Sequence, residues 1–234
     1  TAPAAITWTS ALDGSSSPLS ISLRWLHRYV NSSPAYANWE LVNQNTVIQT
    51  GHGITMKGTG IATAPNIVTQ NYVFTGKPNN GTINHSGLTV GPNNLNLIGN
   101  PYPSALDADK FIQDNLATIN GTLYFWEHFN TNNTHNLAGY QGGYAARTLV
   151  GGTAPVSPAD ISGLGSSTRT PGRFIPVGQG FFVTGNATGG DIVFDNSQRL
   201  FIKESNVDSN ILFRTNQNAS SPNLGTITNE EDPY

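Results

Sequence analysis

The sequence predicts an all-β fold, a jelly-roll-like β-sandwich with one short inserted helix, and three observations predict it. Short runs rich in β-branched and aromatic residues recur along the chain, clusters of Gly, Pro, Asn and Ser separate them, and only one segment carries apolar residues at helical spacing. With 234 residues, the chain is long enough to bury one large core. Charged residues make up only 11% of it, well under the roughly one quarter usual in globular domains. Asn, Thr, Ser and Gly must therefore supply the polar surface.

Candidate strands run over 21–29, 39–48, 53–56, 71–74, 81–84, 95–98, 122–129, 144–149, 180–183, 191–194 and 210–213. In the first, apolar and polar residues alternate from Ile21 through Ser22, Leu23 and Arg24 to Trp25. That alternation places Ile21, Leu23 and Trp25 on one face, toward the core. Between 72 and 83, Asn80-Gly81 separates two apolar runs; both residues tolerate the positive φ of a type I′ turn, which predicts a hairpin. Pro101 and Pro103 fix an extended approach to the helix. Ser104 and Asp107 then stand at capping-box spacing, with Asp in the usual place of Glu. Phe111, Ile112, Leu116 and Ile119 recur at helical intervals, so a helix is expected over 105–116. The Gly-, Ser-, Thr- and Pro-rich stretch 151–171 reads as a long surface loop, in preference to a boundary between subdomains, within a single module spanning 1–215. Residues 216–234 are polar, end acidic and read as a linker or tail.

One series of motifs is more specific than the composition. Asn96-Leu-Ile-Gly-Asn-Pro-Tyr-Pro-Ser-Ala-Leu-Asp107 is followed by Tyr124-Phe-Trp126-Glu, by Pro176-Val-Gly-Gln-Gly-Phe-Phe-Val183 and by Phe194-Asp-Asn-Ser-Gln-Arg199. In this order the series resembles the "NPYP" module of large secreted Bacteroidetes proteins, and the likeness extends over about 53–213. The resemblance implies export through the type IX secretion system and a place on the cell surface or outside the cell, beside other modules of the same polypeptide. It implies no catalytic residues. The motif residues themselves read as structural: Asn100 is biased toward extended backbone by Pro101, and the two prolines with Tyr102 build a rigid corner. The opening Thr1-Ala2-Pro3-Ala4 lacks an initiator methionine and reads as an internal cut.

Several function classes are disfavoured at once. A net charge of −3 with no Lys/Arg block lacks the electrostatic footprint of a nucleic-acid or anionic-lipid binder. No apolar run approaches the roughly 20 residues of a membrane-spanning helix. Without cysteine there is no thiol chemistry. The histidines form no His-Glu-x-x-His pair, and no Gly-x-Ser-x-Gly elbow occurs. Glu127 reads as a solvent-facing strand residue; only its convergence with His128, Arg147 and Tyr144 in one cleft would raise an enzymatic reading.

Two binding chemistries remain. Asp107 and Asp109 offer oxygen donors of the kind calcium takes, although they lack the spacing of a known loop and Asp107 also reads as a helix cap. Aromatic rings stack on sugars while Asn and Gln bond hydroxyls. Trp25 and Trp126 fall at strand positions suited to the core, whereas Trp39, Tyr140 and Tyr144 flank turns and are the candidates for exposed stacking residues. The expected function is a non-catalytic structural or adhesive module, the alternative a carbohydrate-binding module serving a polysaccharide-degrading enzyme. The expected partners are neighbouring modules, polysaccharide or further copies of the surface protein.

Overall fold

A computed structural model of the chain describes residues 6–29, 38–59, 72–129 and 134–202. The expected strand at 210–213 and the tail at 216–234 lie outside these residues. The fold is all-β and sandwich-like, with one α-helix and several sheets, none of which closes into a barrel among the described residues.

Five strands make the central sheet, numbered here in chain order: β8 (Leu95–Gly99), β10 (Ile119–His128), β11 (Gly142–Thr148), β12 (Gly151–Thr153) and β14 (Gly180–Gly185). They lie in the order β12-β11-β10-β14-β8, and all four pairings are antiparallel. Alternation along β10 sets its two faces: Leu123, Phe125 and Glu127 are buried, and Tyr124, Trp126 and His128 are only partly so.

Over the inner face lies helix α1 (Ala108–Asn115) with two small sheets. One joins β13 (Phe174–Ile175), β9 (Ala105–Asp107) and β16 (Arg199–Leu200); the other pairs β15 (Gly190–Asp191) with β7 (Thr89–Val90). The main core fills the space between, with Phe111 and Ile112 from the helix against Leu123, Phe125, Phe181 and Val183 from the sheet. Phe111 meets Phe181 edge-on at 5.6 Å. Burying side chains of this size contributes about 1.5–3 kcal/mol each, so this layer carries most of the stability. The N-terminal part forms two further sheets: β1 (Thr7–Thr9), β2 (Ser15–Ser16) and β3 (Leu19–Ser22) in one, β4 (His27–Tyr29), β5 (Trp39–Leu41) and β6 (Ile54–Thr55) in the other.

The helix starts three residues later than the sequence predicts. Ala105 and Leu106 are taken by β-pairing with Leu200, Arg199 and Ile175. Asp107, not Ser104, is therefore the N-cap, its carboxylate accepting from the amides of Asp109 at 3.1 Å and Lys110 at 3.4 Å. The strand expected at 21–29 is broken by a 3-10 turn over Leu23–Trp25, with the Ser22 hydroxyl accepting from the Arg24 amide. The turn rotates Leu26 rather than Trp25 into the core. Only Trp39–Leu41 of the expected strand 39–48 forms.

The predicted hairpin at Asn80-Gly81 is absent. Gly81 has φ of 85°, but Asn80 does not share the left-handed conformation that a type I′ turn needs at both positions. Ile83 pairs instead with Phe194 from the far end of the chain, and the Gly81 amide donates to Asn196 Oδ1 at 3.0 Å. Long-range pairing overrides the local turn signal. The loop expected at 151–171 opens with β12 and folds back on itself through a bridge between Val156 and Ser166.

The Asn-Pro-Tyr-Pro corner is a hydrogen-bonded clasp. The buried Asn100 amide nitrogen donates to the carbonyls of Ser104, Ile175 and Pro176 at 2.8, 3.2 and 3.1 Å, and its oxygen accepts from the Tyr102 amide at 3.0 Å. Tyr102 is buried and donates its hydroxyl to Gly81 O at 2.7 Å, with the Arg199 guanidinium 5.0 Å from its ring centre. Two of the sequence motifs thus meet in space: the corner and the arginine that ends the 194–199 segment.

Candidate functional site

Aromatic side chains form a continuous row on the outer face of the central sheet. Trp39 stands edge-on to Phe182 at 5.7 Å, Phe182 to Tyr144 at 5.7 Å, and Tyr144 to Trp126 at 4.8 Å. Trp126 and Tyr140 are nearly parallel at 6.0 Å, and Tyr140 reaches His128 at 4.9 Å. Tyr29 closes one end, 5.2 Å from Trp39 and 5.3 Å from Phe182. The row follows from the pleat: Tyr124 and Trp126 of β10 face the same side as their partners Phe182 of β14 and Tyr144 of β11.

All three residues expected to stack on a ligand, Trp39, Tyr140 and Tyr144, lie in this row, although no two are adjacent in sequence. Exposure is graded along it. Phe182 is buried, Trp39, Trp126 and Tyr140 are half-buried, and Tyr144 is 39% exposed. Trp126 is thus a surface-row residue and not the core residue its strand position implied. Gly142 makes room for it: a β-carbon there would lie 2.6 Å from Trp126 Cζ2. Burial of the phenol end, then the neighbouring Tyr29 and Tyr140, pushes the Tyr144 pKa up to about 12. Burial also raises that of Tyr140, opposed by a hydrogen bond with the Trp126 side chain. At neutral pH the Tyr140 and Tyr144 phenols are uncharged, and with the Trp and Phe rings they make a surface suited to the apolar faces of sugar rings.

The two aspartates considered for calcium are engaged otherwise. Asp107 accepts from Arg173 Nε at 2.9 Å and Nη2 at 2.7 Å, and Asp109 accepts from Arg147 Nη2 at 2.7 Å. Burial raises the Asp107 pKa, but the hydrogen bonds and charge of Arg173 and the amides of Lys110 and Asp109 outweigh it, leaving the group below the ordinary aspartate value. Guanidinium groups thus occupy the oxygens a cation would need, and the pair is an arginine-held helix cap. Among the described residues, no three His, Cys, Asp or Glu side chains gather as a metal-binding group.

Glu127 corrects the expectation of a solvent-facing strand residue. It is 4% exposed and faces inward, accepting from Ser167 Oγ at 3.1 Å with Arg169 Nη1 at 3.5 Å. It pins the 151–171 loop to the sheet. His128 and Tyr144 lie on the opposite face, and Arg147 is committed to Asp109. The four groups that would have raised an enzymatic reading therefore do not share a cleft.

Sequence reasoning missed Phe182, Tyr29 and Tyr124 as members of the row. Aromatic spacing of two at Tyr124 and Trp126 was the available signal. Phe182 follows Phe181, and nothing in the local sequence says which ring faces out.

These features define an all-β module with an aromatic sheet face. The chain belongs to the family described as a domain of unknown function, DUF8693, whose model matches residues 6–231. No curated protein and no solved structure matches it. No helix among the described residues is long and apolar enough to cross a membrane.

Proposed function

We propose that this chain is a non-catalytic adhesive module of a larger extracellular bacterial protein, and that its aromatic row docks on polysaccharide. The observation that carries the reading is the row itself: five connected rings from Trp39 to Tyr140 on one sheet face, partly open to solvent and uncharged. A sequence with only 11% charged residues and abundant Asn and Thr supports it, because sugar hydroxyls are bonded well by amides and hydroxyls. The resemblance to secreted modules supports export and a cell-surface location, with other modules of the same polypeptide as neighbours.

Affinity pull-down against insoluble polysaccharides, together with a glycan array, tests this. Retention on at least one polymer is expected, weakened about fivefold or more by Tyr144→Ala, since stacking contacts contribute on the order of 1–3 kcal/mol per ring by analogy with base stacking. Failure to bind any glycan, binding unchanged in the Trp126→Ala and Tyr144→Ala variants, or turnover of a polymer by this chain alone would overturn the proposal.

A further inference from the structure

The strongest chemistry outside the aromatic row lies at the opposite edge of the central sheet, beside β8. Gly51 to Gly53 runs along this edge: the Gly53 amide donates to Leu97 O at 3.0 Å, the Gly99 amide donates to Gly51 O at 3.0 Å, and His52 bridges Ile98. The backbone of His52 is thereby fixed as part of the sheet. Its Nε2 is shielded from solvent and meets no partner in good hydrogen-bond geometry, the Gly87 backbone being its nearby polar neighbour, an arrangement that costs stability unless something completes it.

A second imidazole faces it. The His85 ring lies 5.7 Å from that of His52, tilted by 32°. His85 Nε2 stands 2.9 Å from Thr50 O; a carbonyl only accepts, so Nε2 carries the proton and Nδ1 keeps its lone pair. Metal-binding histidines are held in this way, with the far ring nitrogen donating to a backbone carbonyl.

Gly87 marks a point that all three side chains approach. A β-carbon built on it would lie 2.6 Å from Gln49 Oε1, 3.4 Å from His85 Nδ1 and 3.5 Å from His52 Nε2. An amide oxygen and two imidazole nitrogens thus surround a single point that glycine keeps clear of side chain. Gly87 and Gln49 are exposed, so an ion has a route in from solvent.

We infer that Gln49, His52 and His85 form a binding site for one divalent transition-metal ion of the zinc and copper class. Two imidazoles select such ions over calcium or magnesium, which take oxygen ligands. Bond lengths of about 2.0–2.1 Å require the His85 and Gln49 side chains to rotate toward His52, whose backbone the sheet edge holds. Three protein donors leave a fourth, tetrahedral position for water. The ion ties the turn at 85–88, closed by the Leu88 amide donating to His85 O at 2.8 Å, to the β8 edge. The site shares no residue with the aromatic row, and the inference does not rest on the sugar-binding reading.

Titration of the chelator-treated chain with Zn²⁺ by isothermal calorimetry tests it. One equivalent is expected to bind, and His52→Ala and His85→Ala should each weaken binding at least tenfold, the lower end of the about 10–100-fold lost when even a ligand's supporting partner is removed. Gly87→Ala, which puts a methyl group at the convergence point, should weaken it as well. His27→Ala and His128→Ala, outside the site, should leave it unchanged. His85 sits on a surface turn, so circular dichroism of His85→Ala separates loss of binding from loss of fold. In parallel, Zn²⁺ should shift the imidazole NMR signals of His52 and His85 before those of other histidines. No stoichiometric binding, undiminished binding in a folded His85→Ala chain, or first shifts at other histidines would overturn the inference.

Discussion

Replacing Asn100 by Asp changes one NH₂ group to oxygen and should do more harm than removing the side chain. In the native clasp this nitrogen donates to three carbonyl oxygens between 2.8 and 3.2 Å away, and Asn100 is 6% exposed. In Asn100→Ala the three carbonyls lose this donor and the Tyr102 amide its acceptor, while Pro176 O keeps the Gln179 amide at 3.2 Å; with about 0.5–1.5 kcal/mol for each net bond and about 1–3 kcal/mol for a buried group left unpaired, the expected cost is about 3–4 kcal/mol. That is a large part of the roughly 5–15 kcal/mol that holds a domain together. In Asn100→Asp a carboxylate oxygen would face the three carbonyls at the same distances, so the charged form is disfavoured in the folded state and its pKa is raised there. The sign follows: the penalty is small below the unfolded aspartate pKa of about 3.9 and grows as pH rises through that value toward the folded pKa. Urea denaturation at pH 7 should lower the midpoint of Asn100→Ala by about 1–2 M for a slope near 2–3 kcal/mol/M, and that of Asn100→Asp further. At pH 4.5 the gap between Asp and Ala should narrow. A cost below about 1 kcal/mol for Ala, or an Asp variant no worse than Ala at pH 7, would refute the clasp as the reason for this motif.

Asp107→Ala removes both a helix cap, about 1 kcal/mol, and a two-point bond to Arg173, discounted because Arg173 is half-exposed; a loss of about 2–3 kcal/mol in chemical denaturation is expected. Since the folded pKa of Asp107 is depressed, its contribution is present above the unfolded aspartate pKa and disappears as pH falls through the folded value, so wild type and Asp107→Asn should converge in stability at acid pH. Gly142→Ala forces a methyl group against Trp126 and should cost about 1–3 kcal/mol as an overpacking change, with a shift in tryptophan emission that Gly76→Ala, where a β-carbon meets nothing within 4 Å, does not reproduce. Spectrophotometric titration should leave Tyr102 and Tyr144 protonated past pH 11, since burial first of all lifts both to about 12; full ionisation of all tyrosines near pH 10 in the folded protein would contradict their packing.

Short runs of β-branched and aromatic residues between turn residues made β10, β14 and β8 legible; β10 alternates in burial along its length, whereas β14 and β8 are buried almost continuously. The helix was legible from Phe111 and Ile112, but its start was not. Ala105-Leu106 has helical propensity, and what claims it for a strand is pairing with Leu200 and Ile175, some 70 to 95 residues away in sequence. The same physics defeated the Asn80-Gly81 hairpin: an isolated hairpin is marginal in water, whereas Ile83 gains a place against Phe194 under the main core. Turn chemistry states what a segment can do locally, and distant partners decide whether it does. For the site, Trp39, Tyr140 and Tyr144 were recognisable because aromatics near turns are poor candidates for a core. Their union was not, since it depends on the β10-β11 register that sets Trp126 against Tyr144.

That register also explains why the carboxylate and histidine of Glu127-His128 cannot work together. Adjacent strand residues point to opposite faces, so one belongs to the loop anchor and the other to the aromatic row. A slip of one residue would exchange them, placing a carboxylate among the rings and Trp126 under the 151–171 loop. Gly142 and Gly143 stand against the slip. A β-carbon on Gly142 would lie 2.6 Å from Trp126 Cζ2, and one on Gly143 would lie 2.4 Å from Val156 O, closing the space where the loop docks. Two successive glycines therefore serve opposite faces of one strand, the first admitting the ring and the second admitting the loop. The neutral aromatic face is thus specified together with the core beneath it, and a substitution at either glycine should disturb its own face first.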